Sequence, residues 1–282
     1  MTPVQVIGGG LAGCEAAWAL ANAGIPVQLW EMKPQRYSPA HHSPLLAELV
    51  CSNSLKAQRL GSAAGMLKEE MRLMGSLVVD CALQTSVAAG GALAVDREAF
   101  AQLVTQHIQA HPLIQVVHQE VLELPSRGEA VVATGPLTSD ALAASIQALC
   151  GESLAFYDAA APIVTADSLD YGKVFFAARY GRGEDDYINC PFTREEYEAF
   201  YQALLGAQPA QLHAFDRREP AVYEGCMPIE IMARRGEDTI RYGPLKPVGL
   251  RDPRTGHRPW AVVQLRRENR EGTLYNLVGF QT

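Results

Sequence analysis

The sequence has few aromatic residues and no long apolar run. Aromatic residues make up 7% of its 282 residues, whereas 48% are hydrophobic and 20% are charged. This composition is typical of a globular protein with a large core. The length suits two domains, or one domain with an insertion. Because no stretch of about 18 apolar residues occurs, we expect no membrane-spanning helix.

The N-terminus and the cysteines lack the features of exported and zinc-binding proteins. The chain begins with a short strand and has no basic segment followed by a cleavable apolar stretch. No cysteine stands in a CxxC pair or at zinc-ligand spacing from a histidine. We therefore expect a cytoplasmic protein with reduced thiols and no metal site. Its six cysteines are Cys14, Cys51, Cys81, Cys150, Cys190 and Cys226.

Positive charge is scarce over most of the chain. The formal net charge is −7, which taken alone argues against a nucleic-acid partner. Residues 230–270 differ, because they hold ten Lys or Arg and five acidic residues, a net +5 that leaves −12 for the remainder. A basic zone on an acidic protein can hold a polyanion. The alternative interpretation is that these charged residues form an ordinary solvated surface with no polyanion partner.

The N-terminal 31 residues have the pattern of one βαβ unit. Val4–Ile7 is a short apolar strand, residues 14–23 are a small-residue helix, and residues 27–30 are a second strand that closes at Glu31. Gly8, Gly10 and Gly13 form a GxGxxG motif between the first strand and the helix. In such a motif the glycines permit the tight turn, the approach of a pyrophosphate and close helix–strand packing.

This context predicts a dinucleotide site, although a glycine-rich turn can also serve packing alone. Glu31 lies 18 residues after Gly13, where a carboxylate can accept hydrogen bonds from ribose hydroxyls. A later strand that ends in Ala133-Thr134-Gly135 favours FAD over NAD, because small residues let the backbone pass close to the cofactor. The predicted cofactor-binding residues are Gly8, Gly9, Gly10, Leu11, Ala12, Gly13, Glu31, Thr134 and Gly135.

The remaining pattern predicts an α/β fold with an FAD-binding Rossmann-like domain of the two-dinucleotide-binding type and an inserted smaller α+β domain. Helices are expected at 61–74, from the Asp96 cap to 110, at 139–149 and at 193–205, the last with a capping box. We expect the FAD-binding domain at 1–157 and the insertion or substrate domain at 158–240. In 241–282, strands at 260–265 and 274–278 are expected to return toward the flavin domain.

Two cysteines lie in loops with polar or glycine neighbours. Cys51 follows the second strand within Leu49-Val50-Cys51-Ser52-Asn53, and Cys226 is flanked by Gly225 and Pro228. Loop thiols of this kind are more often reactive than thiols inside apolar helices. A structural thiol fits the same spacing, so the residues alone leave both interpretations open.

The sequence resembles the bacterial folate- and FAD-dependent tRNA (uracil-C5-)-methyltransferases, the TrmFO family. The resemblance extends over essentially the whole chain in blocks of constant order. A sister family, which modifies the tRNA wobble uridine with the same cofactors, has different blocks. The matching blocks are residues 8–17, 48–55, 67–71, 90–97, 133–139, 157–164, 187–191, 223–230, 243–250 and 276–282.

The resemblance implies methylation of tRNA at C5 of the T-loop uracil-54. It implies 5,10-methylenetetrahydrofolate as the carbon donor and NAD(P)H as the electron source, through FAD. It also implies catalytic roles for Cys226, as the thiol that attacks C6, and for Cys51, which handles the flavin-bound methylene or removes the C5 proton. With tRNA as the partner, the expected phosphate contacts come from the basic zone, namely Arg234, Arg235, Arg251, Arg254, Arg258, Arg266 and Arg267.

The family pattern continues beyond Thr282, so the C-terminal part of the flavin domain is expected to be missing from this chain. We therefore expect the chain alone to hold FAD weakly. Two alternatives to an active methyltransferase stay open, a non-catalytic fragment and another FAD-dependent oxidoreductase that acts on a small molecule.

Overall fold

The computed structural model of the chain describes residues 2–151, 161–181, 184–208 and 227–281. The chain divides into two compact units, each built from separate stretches of sequence. In the described residues no helix is long and apolar enough to cross a membrane. The first unit comprises Met1–Val50, Gln58–Ser86 and Val95–Phe156, and the second comprises Cys51–Ala57, Val87–Ala94 and Tyr157–Thr282.

The strands are short and lie in three sheets. In chain order, those of the described residues are β1 (Val4–Ile7), β2 (Val27–Glu31), β3 (Ser54–Ala57), β4 (Ser86–Val87), β5 (Ala92–Val95), β6 (Ile114–His118), β7 (Ala130–Val132), β8 (Ile163–Thr165), β9 (Phe175–Phe176), β10 (Tyr187–Phe192), β11 (Ala261–Arg267) and β12 (Leu274–Leu277).

Five of the α-helices in the described residues lie in the first 150 residues, and three follow. Those of the described residues are α1 (Leu11–Asn22), α2 (Ala63–Leu73), α3 (Leu77–Gln84), α4 (Arg97–Ala110), α5 (Asp140–Cys150), α6 (Arg194–Gly206), α7 (Ile229–Arg234) and α8 (Glu237–Tyr242).

The first unit is built on a parallel sheet of strand order β6-β2-β1-β7. Helix α1 follows β1 and contacts β1, β2 and β6. Its buried face consists of the small residues Gly13, Cys14, Ala17 and Ala21, which let the helix backbone approach the sheet closely. On α4 the buried residues Phe100, Val104 and Ile108 recur every third or fourth position and form an apolar stripe.

The second unit contains an antiparallel sheet of order β8-β12-β11-β10-β9. Its central strand β11 is buried along six of its seven residues. Helices α6, α7 and α8 contribute Tyr197, Ile229 and Ile240 to the same apolar core as Ile188 and Leu265 of the sheet. The capping box predicted for α6 is present, with Thr193 and Glu196 exchanging hydrogen bonds.

A buried polar cluster links the Cys51–Ala57 stretch to this sheet. Arg266 of β11 donates from Nε to Asn53 Oδ1 (3.0 Å) and from Nη2 to Ser52 Oγ (2.8 Å). Asn276 of β12 donates from Nδ2 to Asn53 Oδ1 (2.8 Å) and to Glu268 Oε2 (2.6 Å). Arg266, Asn53, Asn276 and Glu268 are all buried, so these bonds replace water that the groups lose on folding.

Several predicted elements are confirmed within a few residues, and one helix was missed. Strand β1 is as predicted, α1 begins at Leu11 instead of residue 14, and Asp96 caps α4 by accepting from Ala99 N at 2.9 Å. Helix α3 was not predicted. Most of its residues are buried, including Val78, Val79 and Cys81, so it lacks the one-sided apolar pattern that marks a surface helix.

The structure corrects the expected arrangement of residues 241–282. Strands β11 and β12 pair with each other, and β11 also pairs with β10 and β12 with β8, so they belong to the antiparallel sheet. The second unit holds Tyr157–Thr282 together with Cys51–Ala57 and Val87–Ala94, so it extends past residue 240. The polar cluster just described holds the Cys51–Ala57 stretch, and Tyr187, whose hydroxyl donates to Ala89 O at 2.8 Å, holds the Val87–Ala94 stretch.

Arg266→Ala should lower the free energy of unfolding by about 3 kcal/mol, because it removes hydrogen bonds to Ser52, Asn53 and Asn276 from a largely buried cluster. Its neighbour Arg267 is exposed, so Arg267→Ala should change stability by no more than about 0.5 kcal/mol. Urea unfolding of both variants in the full-length protein measures the difference. Equal midpoints for the two variants would contradict a stabilising role for the cluster.

Candidate functional site

The glycine-rich turn of the first unit is closely packed at two glycines and open at the third. Gly8 has φ +104°, and a Cβ there would lie 2.7 Å from Ala133 O. A Cβ on Gly13 would lie 1.7 Å from Gly8 O. At Gly10 a Cβ would meet nothing within 4 Å. Gly8 and Gly13 thus serve the packing of the strand and helix, whereas Gly10 borders open space.

Helix α1 begins beside this open space. Gly10 is its N-cap residue, and no side chain caps the first turn. The first N–H groups of a helix have no partner within the helix, and the helix dipole makes this end positive. The end of α1 therefore has the properties of an anion-binding site.

Glu31 ties the turn to the end of β2. Its Oε2 accepts from Gly9 N (2.8 Å), and its Oε1 accepts from Lys33 N (2.9 Å). Gly9 is required here as well, since a Cβ on it would lie 2.7 Å from Glu31 Oε2. An ionised carboxylate has about four acceptor positions, so Glu31 keeps capacity for ligand hydroxyls after these two bonds.

A cavity of about 310 Å³ lies at the carboxyl ends of β1, β2 and β7 in the first unit. This is the edge of a parallel sheet where ligands of such folds bind. Its volume is at the lower end of the range for small-molecule sites. Of the predicted cofactor-binding residues, Gly13 is not part of the lining, and Gly8, Gly9, Gly10, Leu11, Ala12, Glu31, Thr134 and Gly135 are.

The cavity also has polar residues that the sequence analysis missed, Lys33, His41 and Glu48. Lys33 Nζ donates to Leu45 O (2.6 Å) and to Glu48 Oε2 (3.2 Å). Burial alone would raise the pKa of Glu48, but the backbone amides of His42 and Ser43, together with Lys33, lower it overall, which keeps Glu48 ionised. Burial, followed by the charge of Lys33, lowers the pKa of His41. These three residues lie in the loop that follows β2, and this position was the feature of the sequence that could have indicated them as site residues.

Cys51 belongs to the second unit, where it is half-buried. Its Sγ lies 3.0 Å from Gln281 Nε2, and its carbonyl accepts from Ala161 N at 3.3 Å. The residues that follow it, Ser52 and Asn53, are held by the Arg266 cluster. Cys226, the other predicted catalytic cysteine, lies outside the described residues.

The other cysteines differ in exposure. Burial raises the pKa of the Cys14 and Cys81 thiols to about 12 and that of Cys190 to about 11. These three thiols therefore stay protonated near neutral pH, and the N-terminal position of Cys14 on α1 does not activate it. Cys150 is exposed at the end of α5, so its thiol is not part of the core.

The predicted phosphate-binding arginines are not equivalent. Arg266 is buried, which contradicts its expected contact with RNA, because its guanidinium is used inside the protein. Arg254 is paired with Asp252 (Nη2–Oδ2 2.7 Å), and Arg251 donates to Gly256 O. The other members of the set are exposed, namely Arg234, Arg235, Arg258 and Arg267.

The parallel sheet, the glycine-rich turn and Glu31 define a dinucleotide-binding α/β protein of the Rossmann-like class. A model of the family described as "Glucose inhibited division protein A" matches residues 3–282, and the chain belongs to this family.

The chain is also similar to curated relatives named methylenetetrahydrofolate--tRNA-(uracil-5-)-methyltransferase TrmFO. The protein of Geobacter sulfurreducens is 62% identical over 280 residues, which are 99% of this chain and 64% of that relative. The protein of Acetivibrio thermocellus is 59% identical over the same shares. The resemblance seen in the sequence is thus confirmed. The chain spans slightly less than two thirds of the length of these relatives.

Solved structures support the fold. Aquifex aeolicus GidA in its form I crystal has a TM-score of 0.67 at 14% identity, covering 99% of this chain and 52% of that one. Its form II crystal gives a TM-score of 0.65 at the same identity. The predicted fold class, a flavoprotein-type Rossmann-like α/β fold, is confirmed by this likeness and by the family match.

Gly10→Ala should preserve the fold and weaken flavin binding about tenfold or more in the full-length protein. Gly10 has φ −76°, which alanine adopts freely, but the added methyl group enters the space at the start of α1, where it hinders hydrogen bonds to a phosphate. Flavin absorbance after dialysis, together with far-UV circular dichroism, measures both effects.

Gly13→Ala is the matched comparison, because its methyl group would overlap Gly8 O. This variant should lose stability as well as flavin. Wild-type flavin occupancy in Gly10→Ala would place the cofactor elsewhere.

Proposed function

We propose that the full-length protein methylates C5 of the T-loop uracil-54 in tRNA. The carbon comes from 5,10-methylenetetrahydrofolate, and the electrons come from NAD(P)H through FAD, in the cytoplasm. The observation that carries this proposal is the 62% identity to a TrmFO relative over 99% of the chain. The cavity of the first unit supports it independently, because it offers the features that a dinucleotide needs.

The residues present fit the dinucleotide part of FAD. The uncapped start of α1 and the open side of Gly10 suit the pyrophosphate, and Glu31 retains acceptor capacity for ribose hydroxyls. Thr134 and Gly135 would lie along the cofactor on the opposite wall. Bound FAD would supply the two-electron chemistry that brings the transferred carbon to the methyl level.

Two thiols of the chain fit the chemistry at the uracil. C5 of uracil is a weak nucleophile, and it becomes enolate-like when a thiolate adds to C6. We assign this addition to Cys226. After the new bond to C5 forms, the C5 proton must leave, and a second thiolate can accept it. We assign this step to Cys51. The low thiolate fractions of Cys14, Cys81 and Cys190 make them unsuitable for either role.

Cys51→Ala and Cys226→Ala should each abolish methylation while retaining flavin, because each removes a thiolate and leaves the dinucleotide cavity intact. The measurement is incorporation of labelled folate carbon into a T-loop RNA by the full-length protein, with flavin content scored separately. Cys150→Ala is the matched control and should keep near-normal activity, as should the variants of the other three cysteines.

Substantial methylation by Cys226→Ala would remove that residue from the attack on C6. If the wild-type protein binds flavin and oxidises NAD(P)H but transfers no folate carbon to the RNA, the protein is another kind of flavin oxidoreductase. If it does neither, the methyltransferase proposal fails.

The exposed arginines of α7 are the proposed contacts for tRNA phosphates. Arg234 and Arg235 lie side by side at its end, and phosphate contacts release counterions, so affinity should fall steeply with salt. Replacing both by Gln should flatten the slope of log affinity against log salt by roughly 1.4 to 1.8 units. Arg127→Gln, an exposed residue outside the basic zone, is the control. An unchanged slope would mean that the basic zone is an ordinary solvated surface that does not bind tRNA.

A further inference from the structure

The thiol of Cys51 lies against a side-chain amide. Gln281 Nε2 is 3.0 Å from Cys51 Sγ, in a geometry where the amide donates and the sulfur accepts. Hydrogen bonds to an ionised acceptor are about twice as strong as bonds between neutral groups. An N–H group at this place therefore stabilises the thiolate of Cys51 more than its neutral thiol.

The backbone that carries this amide is held by hydrogen bonds. Gln281 O accepts from Ile229 N at 2.7 Å, and Val278 N donates to Gln264 O at 2.8 Å. Ile229 is the first residue of α7 and comes three positions after Cys226. Gln281 thus joins the thiol of Cys51 to the stretch that directly follows the other proposed catalytic cysteine.

The loop that carries Cys51 is fixed from its other side. Arg266 binds Ser52 and Asn53, and Asn53 Nδ2 donates to Arg267 O at 2.8 Å. Because the backbones on both sides are held, the fold keeps the side chains of Cys51 and Gln281 within reach of each other.

One end of the Gln281 amide is left unsatisfied. Its Oε1 is buried, and no donor of the described residues reaches it. The end of the amide that has a partner is therefore Nε2, which donates to the sulfur of Cys51.

We propose that Gln281 is a positioning residue that stabilises the Cys51 thiolate and so sets the fraction of Cys51 that can act as a base. This proposal rests on the proposed function in one respect, which is that the proton accepted by Cys51 is the C5 proton of uracil. The stabilisation itself is a property of the thiol and is measurable without RNA or folate.

The test is the pH dependence of alkylation at Cys51 in the full-length protein. Iodoacetamide reacts with thiolates, and mass spectrometry of the Cys51 peptide gives the rate at that residue alone. Gln281→Leu removes the donor and should raise the apparent pKa of Cys51 by about one unit, so that alkylation near pH 7 slows about tenfold. Gln281→Glu keeps the shape but brings a negative charge, so it should raise the pKa further.

Two controls make the result specific. The exposed thiol of Cys150 should show the same pH profile in all three proteins, which reports equal alkylation conditions. The buried thiols of Cys14 and Cys81 should stay unreactive in all three, which reports that each variant is folded. In the methylation assay, the acid limb of the rate profile should move by the same amount as the alkylation profile, while KM for RNA stays nearly constant.

An unchanged Cys51 profile in both variants would overturn the proposal. A lower pKa in Gln281→Leu would also overturn it, because Oε1 would then be the atom that faces the sulfur and favours the neutral thiol. If the alkylation profiles shift as expected but the wild-type protein transfers no carbon to RNA, the proposed function fails while the stabilised thiolate stands.

Discussion

The nucleotide-binding half of the first unit depends on one steric constraint, the absence of a side chain at Gly13. A Cβ at that position would overlap Gly8 O, so only glycine lets α1 pack directly on the turn that precedes it. Close packing at this point places the start of α1 at the carboxyl edge of the sheet. The same approach brings Gly8 against Ala133, which joins the first strand of the fold to β7.

Glu31 adds an electrostatic constraint to the steric one. Its carboxylate accepts from Gly9 N and Lys33 N, so one buried side chain fixes both the turn and the chain after β2. Lys33 then pairs with Glu48, and each of these groups lines the cavity. A charged network of this kind is costly to bury without partners. Its members satisfy one another and leave the start of α1, which lacks a side-chain cap, for a ligand.

The sequence predicted the parts of the fold that are encoded locally. The βαβ unit, the Asp96 cap and the capping box at Thr193 follow from residues a few positions apart, and the structure confirms them. The composition of the second unit did not follow from local patterns, since Arg266 and Asn53 are 213 positions apart. Counting charges likewise placed Arg266 among the surface residues. The sequence pattern around Arg266 does not show that a buried acceptor from a distant part of the chain binds its guanidinium. Lys33 was missed for the same reason.

The surroundings of Cys51 show how such long-range pairing determines chemistry. One hairpin, β11 and β12, supplies Arg266 and Asn276 to the cluster that holds the Cys51 loop, and Gln281 comes four residues after the end of β12. The surroundings of a thiol near residue 50 are therefore formed by side chains more than 200 positions later. Loop closure must occur before contacts of such separation can stabilise the fold. The stabilised thiolate that we propose for Cys51 therefore requires the assembled antiparallel sheet.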